Sequence, residues 1–194
     1  MYDMNMHKPI DYQDKTDEEL IILTLKDQNN FLYLMKRYEA KLLRYVMRIS
    51  NLNKDEAEDI VQDVFIKTYQ NINDFDSSLK FSSWVYRIAH NQVISNYRKI
   101  KVRPKTFILN DDSNFLENLA SDFDLDKEID LKYLKHNVNN TLNKLDTKYR
   151  EVLILRFLED KDYREISDIL KKPMGTVATL INRAKEQFKK NYNG

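Results

Sequence analysis

The chain has 194 residues, enough for one or two small domains, and 42% hydrophobic with 32% charged residues is an ordinary balance for a protein that folds in water. The formal net charge is only +1, and cysteine is absent, which excludes disulfides, zinc-thiolate sites and cysteine nucleophiles and fits a reducing cytoplasm. Two glycines and three prolines leave little material for hairpin turns, and apolar residues recur at three and four rather than two, so the expected fold is all-α.

Residues 1–14 are polar and aromatic without the apolar stretch of a secretory signal, and no run approaches the roughly twenty apolar residues of a membrane span, so a cytoplasmic location without membrane insertion is expected. Thr16-Asp17-Glu18-Glu19 reads as a capping box opening a short helix that runs to about Lys26. A longer helix from about Asn30 to Ser50 places Phe31, Leu34, Met35, Tyr38, Leu42, Tyr45, Val46 and Ile49 on one inward stripe. A third helix begins after Asn53, with Ala57, Ile60, Val61, Val64, Phe65, Thr68 and Tyr69 inward. Its other face carries Glu58, Asp59, Gln62 and Asp63, which the helix dipole alone accounts for near a helix start, a partner-binding role being the alternative.

The fourth helix, from about Phe81 to Ile100, lies in a stretch between Ser77 and Asn110 that holds seven basic residues and no acid. Phe81, Trp84, Tyr86 and Tyr97 interleave with that charge and Phe75 precedes it, the composition that binds unpaired bases. Trp84, Ile88 and Val93 are also spaced as core residues, and Trp84 is assigned to packing. Asp111 to Asp130 then holds eight acids against one lysine and reads as a flexible acidic linker, opposite in sign to both neighbours.

From Leu131 to Gly194 there are fourteen Lys or Arg against eight Asp or Glu, a local net charge of +6. Tyr163, Ile166, Ile169 and Leu170 form one apolar face, with Arg164, Glu165 and Asp168 opposite. Lys171-Lys172-Pro173 stops that helix, and Gly175 and Thr176 suit the start of another. In the second helix Val177, Leu180, Ile181 and Ala184 point inward, leaving Thr176, Ala178, Thr179, Arg183, Lys185 and Lys189 outward. This is a helix-turn-helix suited to a major groove, and concentrated basic charge supplies the phosphate-neutralising surface it needs. The bland alternative is a small helical bundle with a solvated lysine face. No glycine-rich phosphate loop is present, and His7, His90 and His136 lack metal-ligand spacing, so neither an enzyme, a cofactor nor a metal site is expected.

The strings DEAEDIVQDVFIKTYQ and FSSWVYRIAHNQVISNYRK, an acidic linker, and then YREISDILKKPMGTV, in that order, closely resemble bacterial RNA polymerase sigma factors of the sigma-70 family. The likeness is to the compact extracytoplasmic-function (ECF) group, which keeps regions 2 and 4, and it covers about Asp17 to Lys190. It implies region 2 at 1–105, a linker at 106–130 and region 4 at 131–194. In that family Asp59, Gln62 and Asp63 match positions that dock on the clamp coiled coil of the largest core polymerase subunit. The flap region is a second polymerase contact, and an anti-sigma factor is a further partner. Phe75 and Asn91 match the pocket for a flipped non-template base of the minus-ten element, with Lys80, Arg98 and Lys99 holding the backbone. The helix-turn-helix then reads the minus-35 element as duplex.

Where most members carry a basic, a small hydroxyl and a basic residue after Gly175-Thr176-Val177, this chain has Ala178, Thr179 and Leu180. The expected minus-35 contacts are therefore Arg164, Lys171, Thr176, Thr179, Arg183 and Lys185, with Ala178 suited to a thymine methyl. Ser95 stands where aspartate is common. Two rival readings remain at this stage: a helix-turn-helix regulator that binds duplex DNA without polymerase, and an interaction module that occupies polymerase without selecting promoters.

Overall fold

The computed structural model describes the backbone of residues 12, 14–50, 52–76, 78–102 and 137–192, and the side chains of all of these except 100–102. The expected linker at 106–130 lies outside the described residues. Everything regular among the described residues is helical, as the composition requires.

Helix α1 (Asp17–Lys26) opens on the expected capping box: Glu19 N–H donates to Thr16 Oγ1 at 3.2 Å and Thr16 N–H to Glu19 Oε2 at 2.7 Å. Such a cap contributes about 1 kcal/mol. Helix α2 (Phe31–Ser50) is tied to α1 by Arg37, which donates to Asp17 Oδ1 at 2.7 Å, and by the Tyr38 hydroxyl on the same carboxylate. Helix α3 (Lys54–Gln70) repeats the capping box with Asn53 and Glu56, and α4 (Phe81–Val102) closes the N-terminal unit. Leu20, Leu34, Leu42, Tyr45, Val46, Val64, Phe81 and Val85 form its interior, each at most 1% exposed. The spacing of three and four put all but Val85 on the predicted stripes or on α1, so burial, not intrinsic propensity, selects these helices.

The C-terminal unit comprises a helix at 137–143 (α5), α6 (Thr147–Leu153) continued by a wide π-type turn at Ile154–Leu158, α7 (Tyr163–Leu170) and α8 (Met174–Tyr192). Val152, Leu155, Ile166, Ile169, Val177, Ile181 and Ala184 fill its centre. Between α7 and α8, Lys171 adopts a left-handed conformation at φ 53°, and Ser167 staples the turn through its carbonyl and its hydroxyl, which donates to Lys172 O at 2.6 Å.

Several expected placements change. Tyr69 is 40% exposed, its hydroxyl donating to Gln28 Oε1, because it caps the rim of the core against Phe31 rather than filling it. Tyr163 is also on the surface, lying against the Arg156 guanidinium. Phe81 and Tyr86, grouped in sequence with the basic surface, are 1% and 2% exposed and belong to the core. Helix α8 starts at Met174, before Gly175, whose φ is not positive, so the glycine is not a turn residue. Glu165, expected on a polar face, is buried.

The burial of Glu165 follows from how the two units meet. The start of α7 and the turn before it rest on α4 and α2. Arg48 donates to Glu159 Oε1 at 2.6 Å, the Tyr86 hydroxyl donates to Glu159 Oε2 at 2.7 Å, and the Ser82 hydroxyl to Glu165 Oε1 at 3.2 Å. Lys161 Nζ stands 4.5 Å from the Tyr86 ring centre.

Candidate nucleic-acid interface

On the outer side of α3, Asp59, Gln62 and Asp63 are exposed at helical spacing and form one stripe, which Ile66, 54% exposed, extends by a turn. Sequence reasoning passed over Ile66. The available signal was that it is apolar yet falls off the inward stripe set by Ala57, Ile60, Val61, Val64 and Phe65. An acidic stripe ending in an exposed aliphatic suits a basic partner surface with an apolar contact.

Behind that stripe an open cavity of about 360 Å³ lies between the end of α3, the turn at Ile72–Asp74 and α4. Lys67, Asn71, Asp74, Trp84, Ile88, Asn91, Gln92 and Ser95 line it. Asn91 is exposed to it, offering a donor and an acceptor, and the largely buried Trp84 supplies an aromatic wall. Phe75 is half-buried and does not line the cavity. Its ring packs on Trp84 at 5.2 Å and Phe81 at 5.8 Å, so Trp84 connects it to Asn91. Asp76 caps the following bend through the Ser78 N–H, which holds its carboxyl below the usual range.

Arg98 and Lys99 are exposed on α4, Arg98 being two helical turns beyond Asn91, about 10 Å along the axis. Tyr97 beside them is 63% exposed. Lys80 sits before the start of α4 and faces the other unit, with Nζ 3.4 Å from Glu165 Oε2 and 3.5 Å from Asp162 Oδ2. The Glu165 carboxylate, with Asp162, raises the Lys80 pKa. The Asp162 carboxyl is held down by the Glu165 backbone N–H and by Lys80. A predicted backbone-holding cation is thus matched by carboxylates of the chain itself, and Glu159, Asp162 and Glu165 are residues whose placement the sequence did not reveal.

In the helix-turn-helix, Arg164, Lys171, Thr176, Thr179, Arg183 and Lys185 are all exposed. The Thr179 hydroxyl donates to Gly175 O at 2.9 Å, so its proton is committed while its acceptor lone pairs stay open. A Cβ built on Gly175 would meet nothing within 4 Å, so this face of α8 presents bare backbone at its N-terminal turn. Lys185 reaches back over the Phe157 ring at 5.3 Å. Ala178 is half-buried, and Leu180 packs against the core. The six candidates lie on one unit, and the cavity and acidic stripe on the other. Among the described residues no helix is long and apolar enough to cross a membrane.

The chain matches two family models, Sigma-70 region 2 over residues 34–103 and Sigma-70, region 4 over residues 135–188. It is 34% identical over 172 residues to the ECF RNA polymerase sigma factor SigW of Bacillus subtilis, covering 84% of this chain and 89% of that relative. It is 33% identical over 181 residues to the ECF RNA polymerase sigma-E factor of Escherichia coli K12, covering 88% and 91%. Among solved structures, CnrH in complex with the cytosolic domain of CnrY aligns with a TM-score of 0.65 at 23% identity, over 90% of this chain and 96% of that one. The sigma factor RpoE of Bartonella quintana, co-crystallised with the anti-sigma factor NepR, aligns with a TM-score of 0.62 at 20% identity, over 84% and 97%. These two likenesses show the fold.

Proposed function

Because the chain belongs to the ECF RNA polymerase sigma factors of the sigma-70 family, we propose that it binds core RNA polymerase, directs it to specific promoters and helps melt them to start transcription. The observation that carries this reading at the level of residues is the open cavity beside Asn91 and Trp84, on the same unit as the acidic stripe of α3. Region 2, at 1–105, docks through Asp59, Gln62 and Asp63 on the clamp coiled coil of the largest polymerase subunit, with Ile66 as its apolar contact. A non-template base of the minus-ten element enters the cavity, Asn91 reading its edge and the Phe75–Trp84 pair forming the aromatic wall. Arg98 and Lys99, and Lys80 once released, hold the backbone. Region 4, at 131–194, reads the minus-35 duplex through Arg164, Lys171, Thr176, Thr179, Arg183 and Lys185 and meets the polymerase flap, and the acidic segment at 106–130 links the two.

Melting in this scheme needs no ATP. Unstacking and unpairing a base costs a few kcal/mol, and stacking of about 1–3 kcal/mol per base, with hydrogen bonds, offsets it. The chain is an initiation factor acting in the cytoplasm, and polymerase makes the bonds. An anti-sigma protein is a further partner.

The test is a pull-down of the purified chain with core RNA polymerase, followed by run-off transcription on sheared genomic DNA. Binding with new, discrete transcripts is expected. Absence of binding, with salt-sensitive binding to duplex DNA by the chain alone, would overturn the reading in favour of a polymerase-independent regulator.

A further inference from the structure

Asp63 and Lys67 are four residues apart on α3, with the acid toward the N-terminus, which is the favourable order for a direct ion pair on a helix surface. They do not form one. At the same spacing, Lys54 reaches Glu58 at 3.6 Å and Lys161 reaches Glu165 at 3.8 Å. The amide of Gln92, on α4, stands between the two charges instead. Its Nε2 donates to Asp63 Oδ2 at 2.7 Å, and its Oε1 accepts from Lys67 Nζ at 2.5 Å.

The amide orientation is dictated by its partners, since a carboxylate only accepts and an ammonium only donates. Gln92 is 8% exposed, so it is fixed by packing as well as by both hydrogen bonds. Asp63 keeps its second oxygen toward the docking stripe. Lys67 keeps two N–H donors toward the cavity, whose lining it shares with Gln92 and Asn91.

We propose that Gln92 is a positioning residue that holds Lys67 off Asp63, keeping an anion for the partner surface and a cation for the cavity on adjacent turns of one helix. The proposal rests on the docking and base-capture reading given above. Without the amide, the ammonium closes onto the carboxylate. One substitution then removes a charge from each surface, although it touches neither polymerase nor DNA. The cavity ligand this arrangement selects is one that presents acceptors, a phosphate oxygen or an acceptor-bearing base edge, to Lys67.

The test compares Q92M, K67M, K67M/Q92M and D63N in the full chain, measuring affinity for core polymerase by fluorescence anisotropy. Methionine keeps the volume and length of the glutamine side chain and removes its hydrogen bonds. Q92M is expected to bind polymerase about two- to fivefold more weakly, the equivalent of breaking an exposed ion pair before docking. K67M/Q92M is expected to bind as K67M does, because no ammonium remains to mask Asp63. A purely structural loss would not be rescued by deleting a surface lysine, so persistent weakness in the double variant overturns the proposal, as does full affinity in Q92M. If D63N itself leaves polymerase binding intact, the docking reading is the one that fails. A crystal structure of Q92M then decides the positioning role alone: Lys67 Nζ within about 4 Å of Asp63 supports it, and a lysine still turned away refutes it.

Discussion

The Tyr86 hydroxyl donates to Glu159 Oε2 at 2.7 Å across 73 positions of sequence, and Arg48 holds the other oxygen of the same carboxylate at 2.6 Å. Burial, and then Glu159, pushes the Tyr86 phenol well above its ordinary range, so it stays a donor at any physiological pH. With the Glu159 side chain only 5% exposed, its loss leaves a buried cation and a buried hydroxyl unpaired. Glu159→Ala is expected to weaken docking of the two units by about 2–3 kcal/mol. Small-angle scattering should report a larger radius of gyration. Anisotropy should report several-fold tighter binding to a single-stranded minus-ten oligonucleotide, since Lys80 is freed with the interface. An unchanged radius would mean that apolar packing alone holds the units together.

The Lys80–Asp162 contact is expected to set part of the pH range of that docking. Asp162 titrates below 3.8 when folded, so its contribution is present above that value and is lost as pH falls through its folded pKa. Lys80 titrates above 10.5, so its contribution is present below that value and is lost as pH rises through its folded pKa. Lys161, lowered by burial, works in the opposite sense, favouring the folded state as pH climbs toward 10.5. The acid limb is therefore the cleaner test. The melting temperature of Asp162→Asn, which keeps a capping side chain, should fall less than that of the parent below about pH 4. Parallel curves would refute the assignment.

These interdomain contacts are also where sequence reasoning stopped short. The stripes on α2 and α3 were legible because a helix that buries one face repeats its apolar residues every three to four positions, and the capping boxes at Thr16 and Asn53 mark local starts. Glu159 and Glu165 carry no such mark. Their partners Arg48, Tyr86 and Ser82 lie at least 73 residues away, and no periodicity encodes that pairing. The same holds for Gln92, whose role depends on two charges of another helix. Asn91 was placed through family resemblance, while the wall offered by Trp84 was hidden because one tryptophan both packs in the core and lines a cavity.

Docking on polymerase through α3 is expected to survive any single exposed contact and to fail when two adjacent ones go. Asp59 and Gln62 are exposed and outside the core, so Asp59→Ala with Gln62→Ala should leave the melting temperature within about 2 °C. Affinity for core polymerase should fall about tenfold or more, read by competition against a labelled sigma factor. Undiminished affinity would remove this stripe from the interface.

Asn91→Ala should relax the choice of base at one minus-ten position while polymerase binding is retained. The side chain is exposed to the cavity and has no structural hydrogen bond to lose. Discrimination at the affected position should drop by about 1–3 kcal/mol, roughly five- to 150-fold in relative promoter use. Run-off transcription on a promoter library randomised across the minus-ten element measures it. Equal loss on every promoter would place Asn91 outside base recognition.

Lys171 separates stability from DNA binding within one residue. Its left-handed backbone, φ 53°, is strained for a lysine, so Lys171→Gly should stabilise the C-terminal unit by up to about 1 kcal/mol in thermal unfolding. The same change removes an exposed cation next to α8. If that cation neutralises a phosphate of the minus-35 duplex, affinity falls for all sequences alike, and the slope of log affinity against log salt decreases by about 1. A residue present only to shape the turn would give the stability gain with an unchanged salt slope. Holoenzyme binding to minus-35 duplex at a series of salt concentrations, set beside the melting curves, therefore tests whether the lysine is kept at a position glycine would fill better because it holds DNA.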